Sequence, residues 1–452
     1  MKINHFTNRI TDVWDYPKLS IYDNQLSRED FYDFLNEERE DNTFRLYIHV
    51  PFCQSFCSYC QFYKYGYNEK SSLPDEYINS VIKEIEKYSE FPYFRNSVIS
   101  SIFFGGGDPS ILSNELFDKI MDAIYSHFDV SENVSISVEG TAKSLLKSEK
   151  LECYKKHNIN RISFGVQTFN EELRQKLHIK TSVDEIYRAA EKIKTLRFEN
   201  FAFDIMYDLP DQSDEVLLDD IEQAVSLGSH YIDFYSLNLY PNTDFYNEIY
   251  NTDKYIFKSS KATEIRHNLL IHEKMKEKGF KQVISCTYSK YFDKPHTGLY
   301  NTLMGEDMLG LGPSARSFIK NRAFRNICSV KDYVKNVSEG ISVAETGVII
   351  SDDDIIRRNV IMKVNLLKIN KNEADILPDI KEKIQRHIEL GYIEEFDDYY
   401  KVTESGRAWI GNIQKTLFSD NIASSDVNNF LHAIKEGRSA YNQDFMSINK
   451  YK

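Results

Sequence analysis

Hydrophobic and polar residues follow two different periods between residues 45 and 285. Short β-branched or aromatic runs predict strands, and longer segments with apolar residues at helical spacing predict helices. Leu116, Ile120 and Ile124, for example, recur on one face of a predicted helix. The predicted strands cover 45–49, 99–104, 134–138, 161–166, 201–206, 231–239 and 281–285. The predicted helices lie near 74–90, 113–127, 143–157, 182–196, 213–227 and 261–278.

Six successive strand-helix units predict an α/β fold built on a parallel sheet. Such a sheet is closed or partly closed, and its crossover connections are right-handed. Ligands of these folds collect at the carboxyl ends of the strands. We therefore expect functional residues in the segments that directly follow each predicted strand.

The pattern changes near residue 350 to charged helical segments at 355–366 and 380–390, followed by a short hairpin at 391–403. This order is similar to a winged helix. Acidic residues fill the predicted wing, which favours a substrate lid or a packing module over a DNA-binding module. The expected organisation comprises an N-terminal extension (1–44), a barrel (45–345), a mostly helical winged-helix-like domain (346–417) and a helix or tail (418–452).

Composition narrows the class of partner. The chain has 56 Lys and Arg against 69 Asp and Glu, a net charge of -13, and no dense basic patch, which argues against a nucleic-acid partner. It also lacks a signal-peptide pattern and an apolar run of membrane-spanning length, so we expect a cytoplasmic protein with reduced thiols. The 30 Tyr and 29 Phe either fill a large core or line a cavity for a flat conjugated substrate.

Three cysteines follow the first predicted strand at C-x3-C-x2-C spacing: Cys53, Cys57 and Cys60. Four thiolates close an iron-sulfur cube, whereas three leave one iron open to bind another molecule. A structural zinc loop would need a fourth ligand, and the nearest candidate, His49, lies within the strand. Three unrelated buried cysteines are the other alternative. The remaining cysteines are far apart along the chain, and we expect them to be small buried hydrophobes.

Further motifs follow the next strands in order. The second strand ends in Gly105-Gly106-Gly107-Asp108, and consecutive glycines permit close approach of a ligand to the backbone. The third strand ends in Glu139-Gly140. The motifs of the fourth and fifth strands cover 160–170 and 203–212 and extend past the strand ends. A glycine run alone is usually a tight turn, and a strand-end carboxylate is usually solvated. Their succession at neighbouring strand ends predicts a shared site.

The cysteine spacing resembles the signature of radical S-adenosylmethionine (SAM) enzymes. The later motifs, including 310–317, resemble those of the HemN-like group, the oxygen-independent coproporphyrinogen III oxidases and their relatives, over nearly all of 45–415. The resemblance implies a partial (β/α)6 radical SAM barrel with a C-terminal winged-helix-like domain. It also implies a 4Fe-4S cluster on the three cysteines, SAM on the open iron, and a second SAM.

The family pattern transfers to this chain one position at a time. The residues that it implies near the cluster-bound SAM are Tyr47, Gly107, Asp108, Glu139, Asn238 and Arg316. Those that it implies near the second SAM are Tyr59, Gly106, Gln167 and Asp204. Asp108 replaces the usual threonine. Ile179 stands at the position of a family arginine, which leaves Lys180 as the nearest cation.

Other departures bear on the reaction. Phe62, assigned to the cofactor site, replaces the fourth cysteine of coproporphyrinogen oxidases, which argues against propionate decarboxylation. Heme-chaperone relatives use a His-Asn-x-x-Tyr-Trp motif that 296–301 matches only in part. The segments that agree with anaerobic heme-degrading methyltransferases (anaerobilin synthases) are 61–63, 139–140, 299–301 and 403–409.

The resemblance therefore implies radical C-methylation of a planar conjugated substrate. Heme or another tetrapyrrole is the first candidate substrate, and methylation would open its ring. A flavodoxin-type or ferredoxin-type donor would supply the electron. Three alternatives stay open: methylation of a quinone or aromatic natural product, oxidative decarboxylation of coproporphyrinogen III, and a heme chaperone without substrate turnover.

Overall fold

The structure is a computed structural model that describes residues 9, 12–17, 32–39, 43–147, 149–240, 243–251 and 261–423. Most of the predicted N-terminal extension and the predicted tail beyond residue 423 lie outside these ranges. Within the described ranges, no helix is long and apolar enough to cross a membrane.

The strands, numbered in chain order, are Thr43–Val50 (β1), Phe52–Cys53 (β2), Tyr65–Gly66 (β3), Val98–Gly106 (β4), Asp129–Gly140 (β5), Arg161–Gln167 (β6), Asn200–Tyr207 (β7), Tyr231–Ser236 (β8), Lys281–Gln282 (β9), Thr287–Ser289 (β10), Met308–Leu311 (β11), Arg316–Ile319 (β12), Arg322–Asn326 (β13), Ala344–Ile349 (β14), Lys368–Asn370 (β15), Ile393–Glu395 (β16) and Tyr399–Val402 (β17).

The helices are Leu73–Ser89 (α1), Pro92–Arg95 (α2), Asn114–His127 (α3), Ala142–Leu145 (α4), Lys150–Lys156 (α5), Glu171–Lys176 (α6), Val183–Thr195 (α7), Asp214–Ser226 (α8), Asp244–Asn251 (α9), Lys261–Glu277 (α10), Thr297–Leu303 (α11), Val330–Ser338 (α12), Asp352–Val364 (α13), Lys371–Ala374 (α14), Pro378–Glu389 (α15) and Ile410–Thr416 (α16).

A twelve-stranded sheet forms the main body, in the order β14-β13-β12-β11-β1-β4-β5-β6-β7-β8-β10-β9. Its central seven strands, from β11 to β8, are all parallel, and the outer strands on both sides are antiparallel. The predicted α/β class with a partial parallel barrel is therefore confirmed. The carboxyl ends of the seven parallel strands meet at one edge.

Two predicted elements differ from the structure, and one strand of the structure was not predicted. The sequence predicts a strand over 281–285, but within this segment only Lys281–Gln282 forms one, and it pairs in antiparallel fashion at the sheet edge. Met308–Leu311 instead extends the parallel sheet beside β1, a pairing of residues more than 260 positions apart that periodicity does not reveal. The single helix predicted near 143–157 is divided into α4 and α5, because Glu149 has a left-handed φ of 56°.

Helix α3 illustrates how sequence positions the outer layer. Its N-cap, Ser113, accepts a hydrogen bond from the Leu116 amide at 3.2 Å, which satisfies one of the free amides of the first turn. Phe117, Ile120 and Ile124 are fully buried in the main core, with the sheet on one side. The helix therefore packs against the outer face of the sheet and leaves the inner face to the barrel cavity.

The C-terminal part contains helices α13 and α15 and a three-stranded sheet, in the order β15-β17-β16. The predicted hairpin is present as β16 and β17. A second hydrophobic cluster lies here and includes Ile384, Trp409 and Ile413. Val13 and Tyr16, from the N-terminal segment, are buried in the same cluster, so this segment packs on the C-terminal module.

Candidate iron-sulfur and S-adenosylmethionine site

The cysteine loop leaves the carboxyl end of β1 and is closed by its own backbone hydrogen bonds. Its first strand, β2, pairs with β3, and the Tyr65 amide donates to the Pro51 carbonyl at 2.6 Å. The Cys60 amide donates to the Cys57 carbonyl at 3.2 Å, and the Ser58 amide reaches the Leu177 carbonyl at 3.2 Å. The loop is therefore held at the carboxyl edge of the sheet and tied to the segment after β6.

Burial and neighbouring groups disfavour the ionisation of Cys53 and Cys57. Burial, followed by Asp108 and Cys60, raises the pKa of Cys53 far above its usual range. Burial and Cys60 raise the pKa of Cys57 to about 11. A bound cation favours the thiolate form of such buried thiols, and thiolates are the ligands that iron-sulfur clusters use. Cys53, Cys57 and Cys60 therefore fit a metal cluster, and would hold a 4Fe-4S cluster as its three protein ligands.

The glycine-rich loop after β4 lies directly against the cysteine loop. The Gly107 amide donates to the Val50 carbonyl at 2.8 Å, and the Asp108 amide donates to the Phe52 carbonyl at 2.7 Å. A Cβ atom on Gly107 would lie 2.6 Å from the Phe52 carbonyl and 3.0 Å from the Cys53 sulfur. This contact requires glycine, so the two loops are built to fit each other.

Gly106 fills a similar role on the inner side of the sheet. It has a φ of 109°, and an added Cβ would lie 2.6 Å from the His49 ring. The Nδ1 atom of that ring is 2.9 Å from the Tyr47 hydroxyl. Burial lowers the pKa of His49 to about 4, which leaves the ring neutral at pH 7. His49 thus lies in the barrel wall beside Tyr47 and Gly106.

Asp108 is buried among three hydroxyl groups. Its carboxylate accepts hydrogen bonds from Ser110 (2.6 Å), Thr141 (3.0 Å) and Ser144 (3.0 Å), beside the N-terminus of α4. Burial raises its pKa, and the three hydroxyls act in the opposite direction. The expected contact with SAM stays a prediction. The structure adds a role that the sequence did not suggest, since Asp108 joins the glycine loop to the next strand-helix connection.

Tyr47 and Glu139 converge on the inner face of the sheet above Gly105. A Cβ on Gly105 would lie 2.9 Å from a Glu139 carboxylate oxygen and 3.2 Å from the Tyr47 ring. Tyr47 stacks on Phe103 at 5.9 Å between ring centroids. Burial raises the pKa of Glu139 to about 7, while Arg161 and the Gly106 amide favour the charged form. This carboxylate faces the cavity next to the cysteine and glycine loops.

Tyr59, Gln167 and Asp204 surround the other side of the cavity. Tyr59 is hydrogen-bonded to Cys57, and burial together with Cys57, Cys60 and Asp204 raises its pKa. Gln167 ends β6 with a φ of 67° and folds over Gly165, where an added Cβ would lie 2.3 Å from its amide nitrogen. These residues therefore lie around the same cavity as Tyr47 and Glu139.

The barrel interior also contains charged residues that were not among the predicted site residues. Asp204 pairs in register with Asp233 on the next strand, and Arg161 lies 4.0 Å from Asp233. Burial, followed by Asp233 and Glu139, raises the pKa of Asp204 to about 8, and Arg161 opposes the shift. Polar residues at alternate positions of otherwise buried strands are the signal that would have revealed Arg161 and Asp233.

The predicted cation Lys180 is exposed, and no contact joins it to the other predicted residues in the part of the chain described. Ile179, at the position of the family arginine, packs in an apolar cluster with Tyr59 and Leu177. A different cation, Arg174, is buried nearby, and its Nη1 donates to the carbonyls of Val166 and Thr168 at 2.7 Å each. Arg174 holds the end of β6 beside the cysteine loop.

The remaining predicted residues lie at the rim of the cavity or outside it. Asn238 follows β8, and its side-chain amide donates to the Ser236 carbonyl at 3.2 Å. Arg316 begins β12 and forms an ion pair with Asp15 of the N-terminal segment. Phe62 is 55% exposed, on the cysteine loop. The expected contact of Phe62 with the cofactor stays a prediction, and its side chain is accessible from solvent.

Comparison with known proteins identifies the family of this chain. Residues 47–224 match the Radical SAM superfamily model. The chain is 32% identical over 396 residues to the heme chaperone HemW of Buchnera aphidicola subsp. Schizaphis graminum, covering 83% of this chain and 98% of the relative. It is 22% identical over 395 residues to the anaerobilin synthase of Escherichia coli O157:H7, covering 85% of this chain and 86% of the relative.

The fold is also similar to that of a solved structure, the coproporphyrinogen III oxidase (HemN) of Escherichia coli. The TM-score is 0.75 at 20% identity, over 87% of this chain and 93% of that one. This similarity concerns the fold alone, whereas the HemW relative is matched along nearly its whole length. The protein therefore belongs to the HemN-like family of radical SAM enzymes.

Proposed function

We propose that the protein holds a 4Fe-4S cluster on Cys53, Cys57 and Cys60 and uses two SAM molecules for radical C-methylation of a planar tetrapyrrole. Heme is the first candidate, with opening of its ring. The observation that carries the proposal is the position of the cysteine loop beside the other predicted site residues. Gly107 contacts Cys53, and Tyr59 is hydrogen-bonded to Cys57 and interacts with Asp204. Asp204 in turn interacts with Glu139, which lies beside Gly105 and Tyr47.

The charge of the cavity suits SAM, which carries a sulfonium and an ammonium group. Glu139, Asp204 and Asp233 face the interior, with Arg161 as the cation that opposes all three. Burial raises the pKa of each carboxyl group because it disfavours the charged form. A cationic ligand would stabilise each carboxylate when it binds. A barrel interior with this charge therefore favours a cationic ligand.

The chain's own residues would position SAM and exclude water. Gly107 would keep the glycine loop in contact with the cysteine loop, and Glu139 would accept hydrogen bonds from the amino group or the ribose hydroxyls of SAM. Phe103 stacks between Tyr47 and His296, at 5.9 Å and 6.3 Å, and these three rings form one wall of the cavity. When bound, the cluster supplies the electron that cleaves SAM to methionine and a 5′-deoxyadenosyl radical.

A tetrapyrrole substrate is supported by the relatives, whose names concern heme, anaerobilin or coproporphyrinogen. Phe62 in place of a fourth cysteine favours methylation over decarboxylation of coproporphyrinogen. A reduced flavodoxin or ferredoxin would donate the electron at the cysteine loop, whose Phe56 and Phe62 are 46% and 55% exposed.

A heme chaperone without turnover is the second candidate. Two observations favour it: the identity to HemW over 396 residues, and the apolar surroundings of Ile179 at the position of the family arginine. An apolar side chain there removes a cation that could bind the carboxylate of a second SAM. The two candidates differ in whether SAM is consumed when heme is present.

The test is an anaerobic assay of the reconstituted, reduced protein with SAM and heme. Production of both 5′-deoxyadenosine and S-adenosylhomocysteine, with loss of the heme spectrum, would support methylation with ring opening. Tight heme binding without either product would support the chaperone. Both SAM products with a quinone or aromatic acceptor, but not with heme, would move the proposal to that substrate class.

Two variants control the assay. Cys57→Ala removes one thiolate of the proposed cluster and should abolish cleavage of SAM. Cys328→Ala removes a buried thiol outside the cysteine loop and should leave cleavage unchanged. Persistent cleavage in a folded Cys57→Ala protein would refute the cluster assignment.

A further inference from the structure

We propose that Asp118, Cys153 and His157 form a second metal site, which takes a zinc-class divalent cation on the outer helical layer. One donor atom from each residue (a carboxylate oxygen, a sulfur and an imidazole nitrogen) lies within 4.8 Å of the other two. This site is independent of the proposed reaction. It uses none of the residues assigned to the cluster or to SAM.

Two helices bring the three side chains together. Cys153 lies in α5 and His157 caps its C-terminus, four residues later, so both side chains are on one face. Asp118 comes from the neighbouring helix α3. Its Oδ1 atom is 2.5 Å from the His157 Nε2 atom and 3.5 Å from the Cys153 sulfur.

These distances suit a tetrahedral ion. Zinc binds sulfur at about 2.3 Å and nitrogen or oxygen at about 2.0–2.2 Å, which places neighbouring ligand atoms about 3–4 Å apart. An ion therefore needs only a small opening of the Asp118–His157 contact. Thiolate, imidazole and carboxylate are the three ligand types that zinc uses in proteins.

The charges of the group also fit a divalent cation. The Asp118 carboxylate accepts hydrogen bonds from His157, Lys156 and Cys153. A dication that displaced the thiol proton of Cys153 would have its charge balanced by one carboxylate and one thiolate.

The surroundings resemble the support that metal ligands receive. Lys156 donates to the other carboxylate oxygen, Oδ2, at 2.9 Å, which leaves Oδ1 for the ion. The Phe117 ring contacts the His157 ring edge-on at 5.8 Å and fixes its orientation. His157 and Cys153 are buried, whereas the Asp118 side chain is 32% exposed. An ion would enter from the Asp118 side and keep water at its fourth position.

The role of such an ion is structural. It would join α3 to α5 at the interruption marked by Glu149, behind strands β4 and β5. Those two strands carry the glycine loop and Glu139 at their carboxyl ends. Phe117 links the proposed site to the sheet, because its ring centroid lies 5.0 Å from that of Phe104 on the outer face of β4.

The test uses the full-length chain with Cys53, Cys57 and Cys60 replaced by serine, because those thiols would also bind the probe ion. After treatment with a chelator, this protein should bind one equivalent of Co²⁺ with a thiolate-to-cobalt charge-transfer band. Zn²⁺ should displace the cobalt. The further change Cys153→Ser should remove the band and weaken binding at least tenfold, whereas Cys328→Ser should change neither. The proposal fails if no equivalent of cobalt binds, or if the band survives in the Cys153→Ser protein.

A second measurement covers variants that lose the Asp118–His157 hydrogen bond. A ligand present at 100 times its Kd stabilises a protein by about 2.7 kcal/mol, which for a chain of this size is a rise in Tm of several degrees. Zn²⁺ should produce such a rise in the background protein and none in Asp118→Asn or His157→Gln. An equal rise in all three proteins would refute the site. If either variant fails to fold without metal, the Cys153→Ser comparison decides.

Discussion

The backbone amide of Gly312 donates a hydrogen bond to the carboxylate of Glu84 at 2.9 Å. Glu84 lies in α1, and Gly312 lies in the turn that precedes Arg316. Gly312 has a φ of 94°, and an added Cβ would lie 2.8 Å from the His49 carbonyl. The side-chain amide of Asn326 donates to the same carboxyl group at 3.3 Å. A buried carboxyl group thus holds this turn against β1.

Replacement of Glu84 by Gln should change how stability depends on pH. Burial raises the pKa of Glu84 to about 7 in the folded protein, so the folded chain binds more protons than the unfolded chain between pH 4 and 7. Stability must then fall as the pH rises through this window. Each pKa unit corresponds to about 1.4 kcal/mol, so the free energy of unfolding should fall by about 3 kcal/mol across this window. Glu84→Gln should remove this pH-dependent fall in stability.

Urea unfolding of both proteins at several pH values between 5 and 8 measures this effect. The wild-type free energy of unfolding should decline more steeply with pH than that of Glu84→Gln. Parallel curves for the two proteins would show that Glu84 has an ordinary pKa.

Asp15 should compete with SAM for Arg316, if Arg316 binds SAM as the family pattern implies. Asp15 and Arg316 are both partly exposed, and such pairs contribute about 0.2–1 kcal/mol. Asp15→Asn should therefore tighten SAM binding by at most about fivefold, as measured by calorimetry of the cluster-loaded protein. Glu37→Gln is the matched control, since Glu37 pairs with Lys320, an exposed residue of the same sheet region. Weaker or unchanged SAM binding in Asp15→Asn would contradict the competition.

Replacement of Gly107 by Ala should disrupt the cysteine loop. The new methyl group would lie 2.6 Å from the Phe52 carbonyl and 3.0 Å from the Cys53 sulfur. Overpacking of this kind costs about 1–3 kcal/mol, so the cluster should bind about tenfold more weakly and the iron content after reconstitution should fall. Gly66→Ala provides a control in the same loop, because its nearest neighbour is the Phe56 ring at 3.9 Å. Equal iron content in the two variants would mean that the two loops do not need this close contact.

The sequence predicted that the cysteine and glycine loops follow neighbouring strands, but it did not reveal the long-range contacts around them. The cysteine loop and the glycine loop depend on spacing within a few residues and on the order of strands, both of which can be read directly. Asp15 and Arg316 are 301 positions apart, and Glu84 and Gly312 are 228 apart. No periodicity links such pairs, because tertiary packing alone brings them together.

The strand errors have the same origin. The segment 281–285 has the apolar character of a strand, but sheet order depends on which strand lies beside β1, and that place belongs to β11. Met308–Leu311 has four residues and lies within a glycine-rich motif, so its composition indicates a turn as readily as a strand. The interruption at Glu149 depends on a single left-handed residue, a feature that helical periodicity does not register.

Asp204 should make SAM binding depend on pH. Burial, with the neighbouring Asp233 and Glu139, raises its pKa to about 8, so at pH 7 the group is mostly protonated without ligand. A cationic ligand favours the carboxylate and lowers this pKa when it binds. SAM affinity should therefore rise between pH 6 and 8, and binding should release protons. Asp204→Asn should flatten the pH dependence and reduce the proton release.

Calorimetry in buffers of different ionisation enthalpy counts the protons released per SAM bound. Asp220→Asn is the matched control: Asp220 is also a buried carboxyl group whose pKa burial raises, to about 7, but it accepts hydrogen bonds from Thr168 and the Phe169 amide rather than facing the cavity. That variant should release as many protons as the wild type. If Asp204→Asn also retained the full release, the cation would lie elsewhere, and the proposed place of the second SAM beside Tyr59 and Gln167 would lose its electrostatic basis.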